Sequence, residues 1–126
     1  YSSLQLEKFN FKFDLIICGF FLYLLDRDLI FRQFDLVHKK LNKNGFLLIN
    51  DLQPLFPHTN NNEHLKGLKT FKMDYSHFLE SSYLFKEIYS FSYKPKIKSK
   101  KKFLSNEASV KIFQKILFDE SYPKNI

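Results

Sequence analysis

Apolar positions along this chain fall first in an unbroken run, then at helical spacing, then in a second run, and later in alternation. The stretch FDLIICGFFLYLLDRDLIF, residues 13–31, opens the series. From Leu15 to Leu25 eleven residues carry no charge, short of the roughly 18–20 a spanning helix needs, so no membrane span is expected. Leu15, Ile16, Ile17 and Cys18 read as a strand buried on both faces, as in a parallel sheet. Gly19 punctuates it, and FFLYLLDRD has the character of a turn leading into a helix. From Asp28 onward Leu29, Phe34, Val37 and Leu41, with Ile30 and Phe31 alongside, recur near the 3.6-residue period and predict a helix within 27–42. Asp26 or Asp28 is placed to cap its first turn, and Gly45 of NKNG to take the left-handed position after its last. FLLIN, 46–50, predicts a second buried strand, closed by Asp51 and Pro54.

Strand, helix, strand is a right-handed crossover whose two strands lie parallel in one sheet. Ligands of such sheets bind outside the carboxyl ends of the strands, here Cys18 to Tyr23 and Asn50 to Gln53. Residues 82–94 have strand composition, with Tyr83, Phe85, Glu87, Tyr89, Phe91 and Tyr93 expected on one face. Residues 108–118 alternate Val110, Ile112, Gln114, Ile116 and Phe118 against Lys111, Phe113 and Lys115. Their β-branched content favours a strand over the alternative, a helix. The two segments predict an antiparallel hairpin, and PLFPHTNNNE, 54–63, a mobile loop over the carboxyl edge. The fold class expected is α/β: a parallel strand–helix–strand followed by an antiparallel hairpin.

Composition narrows this little. The 126 residues suit one domain, and 44% hydrophobic with 18% aromatic residues excludes a disordered chain. Sixteen Phe against three Gly is unusual for an independent small domain. The single Cys18 can form no internal disulfide, so a reducing, cytoplasmic setting is expected. A start at Tyr1, with neither Met nor a basic-then-apolar leader, suggests a piece of something longer. The net charge of +7 is uneven: residues 1–57 carry seven basic and six acidic side chains, residues 58–126 thirteen and seven. Six lysines sit in KPKIKSKKK, 94–102, the expected hairpin loop. Without arginine forks or interleaved aromatics, that run reads as a solvated loop and argues against a nucleic-acid site.

FDLIICGFFLYLLDRDLIFRQFDLVHKKLNKNGFLLINDLQP resembles the fourth strand, following helix and fifth strand of class I S-adenosylmethionine-dependent methyltransferases. The family pattern is an FDLI strand, an xxLxxLxD turn, a helix ending xxLKPGG, and an FLLIxD strand. LNKNG replaces the usual LKPGG, keeping one glycine. HLKGLKTFKMDYSHFL, 64–79, is similar to a segment of a bacterial subset, in which a His, a Gly and a YKMDY-like stretch follow the fifth strand. The resemblance covers about residues 9–93. It implies the C-terminal half of a Rossmann-like methyltransferase sheet: one partial domain over 1–126, with 13–51 as core, 52–81 as a substrate-side segment and 82–126 as antiparallel hairpin and tail. It implies S-adenosylmethionine as cofactor and a small-molecule acceptor. The family's acidic, glycine-rich turn and its ribose-binding acid have no counterpart in YSSLQLEKFNFK, residues 1–12, so half the cofactor contacts are missing from this stretch of sequence.

By that resemblance Gly19, Phe20, Phe21 and Tyr23 line the methyl-donor end of the cofactor, where aromatic faces suit a sulfonium. Asp51, at the end of the second strand, is a candidate proton acceptor or a cap for the next turn. His64 is a candidate substrate-facing base, and Lys72, Asp74 and Tyr75 of FKMDY a substrate grip or a local salt bridge. Asp51, His64 and Tyr75 are expected to converge towards Tyr23. His58, His64 and His77, without paired acids or Cys, match no compact metal set. Cys18 reads as inert core. Two functions stay open: a methyltransferase piece, or a non-catalytic remnant or binding module without cofactor. An open sheet edge near Tyr1 invites self-association.

Overall fold

The computed structural model describes residues 3–62, 64–94, 107–117, 122 and 124. The first apolar run forms β1, Phe13–Gly19, and the second lies within β2, Leu41–Leu52. They pair in parallel, Leu15 to Gly19 opposite Phe46 to Asn50. Between them runs α1, Ile30–Lys40, entered through 3-10 turns at Leu22–Leu24 and Arg27–Leu29. Ile30, Phe34 and Val37, spaced for one helical face, are buried in one cluster with Ile16, Cys18, Leu47 and Ile49. A two-stranded antiparallel ribbon follows, β3 (His58–Asn61) and β4 (Lys69–Lys72), then the short helix α2, Ser76–Glu80. The chain continues with β5, Phe85–Tyr93, and β6, Ala108–Lys115. The main sheet has the order β1-β2-β6-β5, with β6 antiparallel to both neighbours. This is a mixed α/β fold: one parallel pair, antiparallel pairs beside it, and a small second sheet. No helix of the described residues is long and apolar enough to cross a membrane.

The sheet is covered on one side. Ile16, Cys18, Leu47, Ile49, Phe113 and Phe85 face α1 and α2 and form the core with them. On the other side Leu15, Ile17, Tyr89 and Phe91 stand exposed, Ile17 at 61%. The expectation that Leu15–Cys18 is buried on both faces is therefore corrected, because both helices pack on the same side and no described residue covers the other. Register also fixes which side of β6 turns inward. Phe113 is fully buried, which carries Lys111 and Lys115 inward and leaves Val110 and Ile112 on the open side. The Lys115 ammonium reaches the carbonyls of His38 at 2.6 Å and Leu41 at 2.9 Å. It thereby serves as a cationic cap for the end of α1.

Several local expectations change. Gly45 does not take a left-handed conformation; Asn44 does, at φ 58°. Gly45 is instead required by space, since a Cβ there would stand 3.0 Å from the Asn42 carbonyl oxygen and 3.2 Å from that of Asp14. These atoms meet where β2 spends residues 42–45 between the pairs Phe13–Leu41 and Leu15–Phe46. Neither Asp26 nor Asp28 caps α1: its N-cap is Leu29, with no side-chain cap bond. The expected loop at 54–63 contains β3, whose partner strand β4 pairs His58 with Lys72 and Asn61 with Lys69. Tyr83 precedes β5 with φ 57°. A bulge between Glu87 and Tyr89 turns Tyr89, Phe91 and Tyr93 to the face opposite Phe85 and Glu87. The lysine run from residue 95, and residue 118 of the expected last strand, lie outside the described residues.

Candidate functional site

The carboxyl ends of β1 and β2 are stitched together by backbone and carboxylate. After Gly19, Phe20 turns the chain with φ 47°, and its N–H donates to the Asn50 carbonyl at 2.7 Å. Leu22 then plugs into the core, fully buried. Tyr23 follows, its N–H donating to Asp51 Oδ2 at 3.1 Å, while the Leu52 N–H donates to Oδ1 at 2.7 Å. Asp51, only 3% exposed, thus holds the loop after β1 with one oxygen and its own strand with the other. Burial raises its carboxyl from the ordinary 3.8 to about 6, against those backbone bonds and the nearby Arg27 charge, which pull it down. Burial, and secondarily the Asp51 charge, pushes the Cys18 thiol up to about 12, which leaves it an inert core group.

Arg27 is the hub of the site. Nε and Nη2 donate to the Leu25 carbonyl, at 3.2 and 2.8 Å, and Nη2 also donates to that of Leu22 at 2.5 Å. Nη1 donates to the Tyr75 hydroxyl at 3.3 Å and to Met73 Sδ at 3.5 Å. The guanidinium also lies 4.9 Å from the centre of the Phe71 ring, within cation–π range. Its five contacts match its five N–H groups, so it is a clamp between the loop after β1 and the 71–75 segment. Burial raises the Tyr75 phenol, while the Arg27 bond and charge work the other way.

Beside this clamp Lys111, buried on β6, reaches Asp74 Oδ1 at 2.8 Å and Ser76 Oγ at 2.6 Å, with Glu87 at 3.8 Å. Ser76 Oγ in turn donates to Glu87 at 2.9 Å. Burial alone would raise Asp74, but the bonds from Lys111 and Ser76 outweigh it and lower its carboxyl. Asp51, Tyr75, Ser109 and Lys111 line a cavity of only about 10 Å³, at the lower limit for one water molecule.

The structure therefore brings Tyr23, Asp51 and Tyr75 together, and Asp74 beside them. His64 does not join them. It lies past the Asn61–Lys69 end of the ribbon, exposed, with its N–H on Asn62 Oδ1 at 2.8 Å. The expectation that it converges on Asp51 fails because residues 58–72 form a ribbon that carries its tip outward. Lys72 sits at the other end of that ribbon, opposite His58. Gly19 is exposed at the strand end, and Phe21 packs against the core. Among the described residues no group of three His, Cys, Asp or Glu side chains could hold a metal ion. Arg27 and Lys111 were not singled out from sequence. A signal for the first existed: the chain has only two arginines, Arg27 and Arg32, among 20 basic residues, and arginine is used where a fork of donors is needed. Compared with known proteins, the chain matches no family model and no curated protein.

Proposed function

We propose that the chain is part of an S-adenosylmethionine-dependent methyltransferase that moves a methyl group to an atom of a small-molecule acceptor in the cytoplasm. On this reading the four-stranded sheet is the C-terminal half of a Rossmann-like methyltransferase sheet. The observation that carries it is the junction after β1. Phe20 is held in a left-handed conformation that costs a bulky residue about 1–3 kcal/mol and tends to persist at ligand clamps. Its ring is 37% exposed, at the carboxyl edge of two parallel strands where such sheets bind ligands. Gly19 beside it has open space where a Cβ would stand.

These residues fit the methyl-bearing end of the cofactor. When bound, S-adenosylmethionine would supply an electrophilic methyl group on a cationic sulfur. Gly19, Phe20, Phe21 and Tyr23 would hold that end, the rings offering π faces to the charge. Asp51, titrating at about 6, is mostly ionised at pH 7. It would fix Tyr23 and take a proton from an acceptor hydroxyl or amine brought within reach. His64, at the ribbon tip, is not placed for that proton; Lys72, Asp74 and Tyr75 belong to the acceptor side.

The alternative, a binding module without catalysis, is favoured by one observation: both Asp51 oxygens are already bonded and the adjoining cavity admits no substrate. Titration with S-adenosylmethionine, followed by amide NMR, separates the two. Weak binding, in the millimolar range, should shift the Gly19–Tyr23 amides, and Phe20→Ala should abolish the shifts. Shifts elsewhere, or none at any concentration, would remove the methyltransferase reading.

A further inference from the structure

A second cavity, of about 250 Å³, opens between Arg27 and the His58–Lys72 end of the ribbon. Pro57, Phe71 and Met73 give it apolar walls. Its polar groups are Arg27, His58, Thr59 and Lys72, and no acidic side chain lines it. Sites for drug-sized ligands span roughly 300–1,000 Å³ and are mostly apolar with a few placed polar groups, so this one suits something smaller.

We propose that this cavity binds a small organic anion, an apolar body bearing a carboxylate or phosphate, and that this is the class of acceptor. The assignment of the ligand as acceptor rests on the methyltransferase reading; the anion site does not. The charge argument turns on which donors are free. The five N–H groups of Arg27 are engaged within the protein, so an anion would feel its field without bonding to it, and the Asp51 charge offsets part of that field. Lys72 is different: its ammonium forms no ion pair among the described residues. His58 Nδ1 donates to the Phe56 carbonyl at 3.0 Å, so Nε2 of the neutral ring is an acceptor and offers an anion no donor. Lys72 and the Thr59 hydroxyl are then the direct contacts, with the His58 ring as a wall. Met73 lines both this cavity and the small one beside Asp51, so an acceptor seated here lies next to the candidate proton acceptor.

The chain itself supplies the reporter, since Met73 is its only methionine. NMR titrations of the Met73 methyl and the His58 ring with hexanoate, hexyl phosphate, hexylamine and inorganic phosphate test the site. Hexanoate and hexyl phosphate should give saturating shifts of both groups and hexylamine should not. Lys72→Gln should weaken hexanoate about fivefold, within the range of a partly exposed ion pair, and Lys72→Arg should restore it. Equal response to hexylamine would overturn the anion assignment. So would an undiminished response in Lys72→Gln, or saturation by inorganic phosphate as tight as by hexanoate. No step uses S-adenosylmethionine, so these shifts together with no Gly19–Tyr23 response to S-adenosylmethionine would remove the enzyme reading and leave the site.

Discussion

At residue scale, Asp51 is an anchor that also titrates, and its environment makes the combination testable. Burial raises its folded-state value to about 6 from the ordinary 3.8, so the folded chain holds this proton more tightly than the unfolded chain does. Its contribution to stability is therefore full below pH 3.8 and is lost as pH rises through about 6. Comparing the wild type with Asp51→Asn by urea unfolding isolates the effect, because asparagine does not titrate. From pH 7 to pH 4.5 the difference should move in favour of the wild type by about 2 kcal/mol. A difference that stays constant would mean that Asp51 is as solvated as a surface carboxylate. The same residue shows what sequence pattern conceals. Its place at the end of a parallel strand was legible from FLLIND, but its bond to the Tyr23 amide depends on the loop that turns at Phe20.

At the scale of elements, β1 to β2 shows where local patterning succeeds. The Ile30, Phe34, Val37 spacing predicts the helix because it answers to one period and one buried face, while the unbroken apolar runs mark the two strands but not that only one of their faces is covered. Gly45 was recognised as a special position for the wrong reason, since the backbone crowding it is created by pairing with β1, across more than twenty-five residues of sequence. Gly45→Ala should consequently destabilise the chain by about 1–3 kcal/mol, as overpacking against rigid neighbours does. The urea midpoint measures this; an unchanged midpoint would show that residues 42–45 can shift away from Asp14. The ribbon β3–β4 is not legible in the sequence because its strands, HTNN and KTFK, are short and mostly polar, and its burial is confined to residues such as Thr70. Arg27 escaped for a related reason. Its partners Tyr75 and Met73 lie 48 and 46 residues away, and no local period links them.

For the whole molecule, the described residues cover the sheet on one side only. Leu15, Ile17, Tyr89 and Phe91 form an exposed apolar face, of a kind that promotes association in isolated chains. Ile17→Lys combined with Phe91→Lys should raise the solubility limit while shifting the unfolding free energy by no more than about 1 kcal/mol, because these side chains gain little from burial. Unchanged solubility would place the limit elsewhere on the surface. The sheet order has a temporal meaning as well. β6, late in the sequence, is the strand that joins β2 to β5, which share no pairing of their own. During synthesis β5 emerges with no partner, the inner edge of β2 stays bare, and the carbonyls at the end of α1 wait for the Lys115 ammonium. Until residues 108–115 leave the ribosome the nascent chain can assemble only the parallel pair of its main sheet, and its most vulnerable moment is the interval before β6 slides in.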